Sequence, residues 1–290
     1  MAKETILVTG ATGQVGRRLV PRLLAWREAG DKVRVLVRTE AAAERFAAAG
    51  ARAVVGDLTD ADARKRALDG VSVVVNCAAT FRDPGVTEQE MAAVNRDAAV
   101  ALARAAAQAE VRRFVQVSTN LVYGPGVGRP AREDDELRAG PGGYPGTKRE
   151  CEEQLGQLRA ETGLDLVTLR LAFVYGEGDP HIANWLRYFD APPAHQQLQM
   201  VHHADVGQGV LRAIRTPGID GRVYNIAGDD GCTAYELHEL AGASMDLGAA
   251  AGRTVPDPWS GVVDTTRAYR ELGFNPVYPT ARSAWRAGVL

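Results

Sequence analysis

Tyr144 and Lys148 stand four residues apart in Gly143-Tyr-Pro-Gly-Thr-Lys148. On a helix that spacing sets a phenol and an ammonium on one face. The ammonium favours the phenolate, so the pair is expected to draw the Tyr144 pKa toward neutrality and make it a general acid. Pro145 between them suits a first helical turn. Upstream, Val117-Ser-Thr-Asn-Leu-Val-Tyr-Gly124 carries hydroxyls at a strand end, where one could hold a substrate oxygen.

The elements that must position such a pair begin at the N-terminus. An apolar strand from Thr5 runs into Gly10, Gly13 and Gly16, and an amphipathic run from Val15 to Ala29 follows with Leu19, Leu23, Leu24 and Trp26 at helical spacing. Gly10 permits a tight turn, Gly13 lets the backbone approach a pyrophosphate, and Gly16 lets the helix pack on the sheet. The helix N-terminus offers free N–H groups and a partial positive charge to phosphates. Gly10, Thr12, Gly13, Gln14, Val15 and Gly16 are therefore the expected pyrophosphate contacts of a dinucleotide.

Lys32–Val37 reads as the second strand, and it ends in Arg38 where an NAD-preferring fold offers an acid to the adenosine ribose. A guanidinium suits a 2′-phosphate instead, so the expected cofactor is NADP, with NAD possible. Arg17 could add charge; the alternative for both arginines is a solvent-facing role. After a third strand, Arg52–Val55, Asp57 could accept from an adenine amino group, whereas Asp60 suits the N-cap of a helix from Ala61. The continuous apolar run Val71–Val75 reads as a buried parallel strand. It ends in Asn76-Cys-Ala-Ala-Thr80, small side chains against which a dinucleotide could lie. Helices are expected over Glu88–Ala109, with Asn95 needing a use for its amide inside the first half, and over Thr147–Thr162, with a fifth strand at Arg112–Ser118 between them. This alternation predicts an α/β fold, a doubly wound parallel (Rossmann) sheet with ligands at the strand carboxyl ends.

The glycine turn, the hydroxyl-bearing strand end and Tyr144/Lys148 together resemble the extended short-chain dehydrogenase/reductases, the NAD-dependent epimerase/dehydratase family. Leu169–Gly176, Val201–Val206 and Asp264–Arg267 with Leu272–Pro276 resemble further family segments. The resemblance implies a Rossmann domain over 1–170 and a small, mainly substrate-binding lobe over 171–290, with about 200–230 returning to the first domain. It implies that Tyr144 transfers the proton, Lys148 binds the nicotinamide ribose, and Thr119 rather than Ser118 orients the substrate oxygen. It also implies cofactor contacts from Asp57 and Leu58 to adenine, from Cys77, Ala78, Ala79 and Thr80 along the dinucleotide, from Asn95 near the lysine, and from Leu171 and Ala172 by the nicotinamide. By the same analogy, Glu88–Ala109 and Thr147–Thr162 would pair across a two-fold axis in a homodimer.

Departures narrow the activity. Sugar-nucleotide dehydratases carry two acids where this chain has Asn120 and Leu121, which cannot transfer the proton of an elimination. Phe173 replaces an asparagine common in nucleotide-sugar enzymes, and with Tyr175, Trp185, Tyr188 and Phe189 it suggests either an apolar substrate pocket or core. The expectation is an oxidoreductase passing hydride between NADP(H) and a small-molecule ketone or secondary alcohol. The alternatives are a nucleotide-sugar epimerase using transient oxidation and a redox-inert NADP-binding sensor.

Composition excludes other classes. The chain has 290 residues and a net charge of −2 with charges interspersed, which argues against a nucleic-acid surface. Three scattered cysteines look like reduced thiols of a cytoplasmic protein. No signal peptide or membrane span is read. His181, His195, His202 and His203 lack metal-motif spacing, so no metal is expected. The acidic run Glu133–Glu136 is expected to be a solvated loop face.

Overall fold

The computed structural model describes residues 3–81, 85–188, 193–255 and 257–290. Ten strands and eleven helices alternate along them. In chain order they are β1 (Thr5–Thr9), α1 (Gly16–Trp26), β2 (Lys32–Val37), α2 (Glu40–Ala48), β3 (Arg52–Val55), α3 (Ala61–Leu68), β4 (Val73–Asn76) and α4 (Glu88–Ala92). Then come α5 (Ala99–Gln108), β5 (Arg113–Thr119), α6 (Gly143–Thr162), β6 (Leu166–Leu171), β7 (Phe173–Tyr175), α7 (His181–Tyr188), β8 (Gln197–His202) and α8 (His203–Arg215). The chain finishes with β9 (Val223–Ile226), β10 (Gly231–Thr233), α9 (Ala234–Leu240), α10 (Leu247–Ala251) and α11 (Ala281–Arg286).

Seven strands form one sheet in the order β3-β2-β1-β4-β5-β6-β9, and the pairs from β3 to β5 are parallel. The order reverses between β1 and β4, which makes the doubly wound arrangement. Val73, Val74 and Val75 are fully buried, as a strand covered on both faces requires. Asp60 caps α3 through the Asp62 N–H at 3.0 Å, the role its type and position suggested. Trp26, by contrast, is an exposed end of α1, because that helix stops there and Val20 takes the buried position.

The chain divides into two compact units. The first comprises 1–118, 140–169 and 210–223. One side of its sheet is packed by Leu102, Ala103 and Ala106 of α5 with Cys151, Leu155 and Leu158 of α6, all at most 1% exposed. Buried Arg113 joins β5 to Asp165 at 2.8 Å and donates to the carbonyls of Ala213 at 2.9 Å and Thr216 at 2.6 Å. That single side chain satisfies the orphan carbonyls at the end of α8.

The second unit comprises 119–139, 170–209 and 224–290. Its small sheet has the order β10-β8-β7, antiparallel between β10 and β8 and parallel between β8 and β7. Tyr175, Trp185, Met200 and Leu237 pack together there. Tyr175 and Trp185 are thus core rather than pocket lining. Phe173 stacks on His181 with centroids 3.8 Å apart; Phe189 and the side chain of Tyr188 lie outside the described residues. Glu133 is not solvated as the acidic run suggested. It is 8% exposed and accepts from the Asn225 N–H at 3.0 Å, and burial raises its pKa. The reason is a buried polar network, in which Arg170 donates to Tyr123 Oη at 2.8 Å and Tyr123 donates to Asn225 Oδ1 at 2.7 Å.

Candidate active site

The glycine turn is built as the residue types demand. Gly10 has φ +66°, and a Cβ there would stand 2.6 Å from the Ala78 backbone. At Gly16 a Cβ would fall 2.2 Å from the Gly10 carbonyl oxygen, so the start of α1 seats directly on the turn. The Gly13 N–H closes the loop onto Gly10 O at 3.0 Å, and Thr12, Gly13 and Gln14 are exposed around it while Val15 is half-buried. An open backbone rim at a helix N-terminus fits a pyrophosphate.

Thr12 also lines a shallow pocket with Arg38, Thr39, Ala41, Ala42 and Arg45. Arg38 is exposed at the end of β2, and Thr39 caps α2 through the Ala42 N–H at 3.3 Å. Arg45, one and a half turns along that helix, was not singled out from the sequence; the helical return toward the strand end was the available signal. Two arginines lining one pocket suit a phosphate dianion. Asp57 is exposed and folded into its own turn, accepting from the Thr59 N–H at 2.8 Å and its hydroxyl at 2.7 Å, which lowers its pKa. Leu58 beside it is half-buried. Arg17 is exposed.

At the carboxyl ends of three neighbouring strands a polar ladder crosses the sheet. Thr9 Oγ1 donates to Asn76 Oδ1 at 2.5 Å, Asn76 Nδ2 to Gln116 Oε1 at 2.8 Å, and Gln116 Nε2 to the Val117 carbonyl at 2.8 Å. All three side chains are at most 1% exposed. Polar residues within otherwise apolar strands are the legible sign of such a ladder. Lys148 joins it: its Nζ donates to the same Val117 oxygen at 2.7 Å, and the side chain is 2% exposed.

Asn95 finds its use here. It sits in a π-helical turn, Ala93–Ala98, between α4 and α5, a kind of interruption frequent at functional sites. Fully buried, it accepts from the Thr80 N–H at 2.7 Å and donates to Thr80 O at 2.9 Å and Thr147 Oγ1 at 3.1 Å. Thr147 in turn donates to the Tyr144 carbonyl at 2.9 Å. One amide therefore ties the Cys77–Thr80 segment to the first turn of α6. Pro145 lies in that first turn, where no helical N–H is lost.

Tyr144 is half-buried with its ring 4.8 Å from that of Phe81, edge to face at 69°. Burial pushes its phenol up to about 12. This corrects the expectation that Lys148 draws it toward neutrality. The Lys148 ammonium is turned to the Val117 carbonyl, and burial lowers its own pKa against the opposing influence of Cys151, Glu152 and Cys77. Burial also raises the Cys77 thiol to about 12, so it is a small apolar side chain rather than a nucleophile.

Of the two strand-end hydroxyls, Ser118 donates to Glu152, a pairing one turn beyond Lys148 on α6. Thr119 belongs to the second unit. There it is 7% exposed and accepts from the Leu121 N–H at 3.2 Å. Asn120 is spent on the Gly261 carbonyl at 2.6 Å and Leu121 is 42% exposed, so neither position holds an acid. Leu171 and Ala172 are buried in β6 and just after it, also in the second unit.

His181, His202 and His203 have packing partners, whereas His195 is exposed. His203 pairs with buried Asp179 at 2.7 Å, and His202 contacts the rings of Tyr175 and Tyr278. Among the described residues no group of three or more His, Cys, Asp or Glu side chains converges, and no helix is long and apolar enough to cross a membrane.

Residues 6–227 match the model of the NAD dependent epimerase/dehydratase family. The chain belongs to that family. A relative in Stigmatella aurantiaca, 4-hydroxy-2-methyl-3-oxo-4-farnesyl-3,4-dihydroquinoline-1-oxide ketoreductase, is 32% identical over 229 residues, covering 75% of this chain and 66% of that protein. UDP-glucose 4-epimerase of Vibrio cholerae is 32% identical over 181 residues, 60% of this chain and 53% of the other. The matched segments thus span between about half and two thirds of these relatives' lengths. Among solved structures, a Streptomyces venezuelae dTDP-glucose 4,6-dehydratase with NAD and TYD bound superposes with a TM-score of 0.79 at 27% identity, covering 97% of this chain and 95% of that one. Membership in this family is that of the extended short-chain dehydrogenase/reductases, and the seven-stranded sheet is theirs.

Proposed function

We propose that this protein is an NADP-dependent ketone reductase of the extended short-chain type. The observation that carries the reading is the placement of Tyr144 in the first turn of α6, one turn before buried Lys148 and tied through Thr147 to Asn95. A protonated phenol is the form that completes reduction of a carbonyl, because the new alkoxide must receive a proton. A bound dinucleotide would supply the hydride. By the family resemblance, Tyr144 would give up its proton to the substrate oxygen, Lys148 would take the nicotinamide ribose, and Thr119 would supply the hydroxyl that orients the carbonyl.

The dinucleotide is assigned to Gly10–Gly16 for the pyrophosphate, Asp57 and Leu58 for adenine, and Cys77, Ala78, Ala79 and Thr80 with Asn95 behind them for the ribose side. Leu171 and Ala172 are given the nicotinamide. Arg38 and Arg45, lining one pocket with Thr12, favour a 2′-phosphate and therefore NADP over NAD. A homodimer and a cytoplasmic setting go with this reading, the latter consistent with the free thiols of Cys77, Cys151 and Cys232.

The kinship to a ketoreductase supports net reduction. The missing acids at Asn120 and Leu121 weigh against dehydration. Kinship to a UDP-glucose epimerase favours a second reading, transient oxidation of a sugar hydroxyl with the cofactor retained. The test is oxidation of NADPH and of NADH across a panel of ketones, by wild type, Tyr144→Phe and Arg38→Ala/Arg45→Ala. The reductase reading expects turnover with NADPH, loss in the tyrosine variant, and a KM for NADPH raised about tenfold or more by the arginine pair, with little effect on NADH. Interconversion of UDP-sugars without net NADPH consumption would replace it with the epimerase.

A further inference from the structure

The ring of Phe81 is an element of the site that neither the glycine turn nor the Tyr144/Lys148 pair explains. It follows Thr80, whose N–H and carbonyl are both clamped by buried Asn95, so its backbone enters the site from a fixed point. The ring meets Tyr144 edge to face at 4.8 Å and is still 51% exposed. The ring thus stands beside Tyr144 with about half of its surface open.

Resting on the reductase reading, we propose that Phe81 determines substrate class, selecting ketones that carry a flat apolar group next to the carbonyl. A carbonyl oxygen that reaches the Tyr144 hydroxyl brings its flanking carbons alongside the neighbouring ring. An aryl or conjugated flank covers the exposed part of Phe81, gaining apolar burial and ring–ring contact. A polyhydroxylated flank brought to the same place gives up water from its hydroxyls and meets no donor or acceptor on this ring. The contact therefore discriminates twice, for apolar flanks and against sugar-like ones.

The experiment compares kcat/KM for acetophenone with that for hydroxyacetone, using wild type, Phe81→Ala and Phe81→Leu with NADPH. In parallel, binding of 1-phenylethanol and of propane-1,2-diol to the NADP-loaded proteins is measured by calorimetry. The acetophenone-to-hydroxyacetone ratio is expected to fall about tenfold in Phe81→Ala and by less in Phe81→Leu, with 1-phenylethanol affinity weakened in the same order. A ratio and an affinity that do not move with the side chain overturn the proposal while leaving the reductase reading intact. Wild type that reduces neither ketone, yet binds 1-phenylethanol in a Phe81-dependent way, keeps the apolar subsite and removes the reductase reading instead.

Discussion

The Asn95 amide nitrogen donates to the Thr147 hydroxyl at 3.1 Å, and through it the peptide of Thr80 is coupled to the first turn of α6. Thr147 passes the coupling to Tyr144 by donating to its carbonyl. The amide thus positions two segments of the site without facing the reaction itself.

Replacing Asn95 with Ala leaves the Thr80 peptide groups and the Thr147 hydroxyl without their buried partner. We expect a loss of about 2 kcal/mol in urea unfolding. Activity should fall further than stability explains, about tenfold or more in kcat, because Tyr144 and the Thr80 segment lose their common reference. A variant whose kcat is preserved would show that α6 positions Tyr144 unaided.

Burial holds the Tyr144 phenol up near about 12, so it remains protonated through neutral pH. Reduction should show no loss ascribed to this group between about pH 6 and about pH 9, whereas oxidation of the corresponding alcohol, which needs the phenolate, should rise with pH over that range. Tyr144→Phe should lower both by about a hundredfold or more. Steady-state profiles in each direction check the sign.

Thiol chemistry offers an independent probe of the interior. Burial raises Cys77 and Cys232 to about 12 and Cys151 to about 11. Since the thiolate is the reactive form, alkylation by iodoacetamide near neutral pH should be more than about a hundredfold slower in native than in urea-unfolded protein. Rapid native labelling of Cys77, located by mass spectrometry, would show that the end of β4 is more open than its packing implies.

Arg113 is 3% exposed and bonded to Asp165 and to the carbonyls of Ala213, Ile214 and Thr216 at and just past the end of α8. Arg113→Met leaves all of them without a donor and should cost about 3–5 kcal/mol. Adding Asp165→Leu should recover part of that loss, since the abandoned carboxylate is then removed as well. Thermal melts of the single and double variants decide it.

Glycines at Gly10, Gly13 and Gly16 between an apolar strand and an amphipathic run were legible from the chain alone, because each answers a steric demand that is local. The same holds for Asp60 as an N-cap, for the valines of β4, and for the helical spacing of Tyr144 and Lys148. Asn95 was legible only as an anomaly; its partners lie 15 and 52 residues away, beyond any local pattern. Glu133 sat in an acidic run that reads as a solvated loop, and only packing against Asn225 made it a buried, hydrogen-bonded carboxyl.

The sequence by itself determined the doubly wound sheet, the glycine turn and which residue types could transfer a proton, since backbone sterics and period act over a few residues. Tertiary structure alone decided the direction in which the Tyr144 phenol is shifted, the carbonyl to which Lys148 is turned, and the ring placed beside them. Burial and hydrogen-bond geometry are properties of what surrounds a group, and here those surroundings come from β4, β5, the π-helical turn and α6, which only the fold brings together.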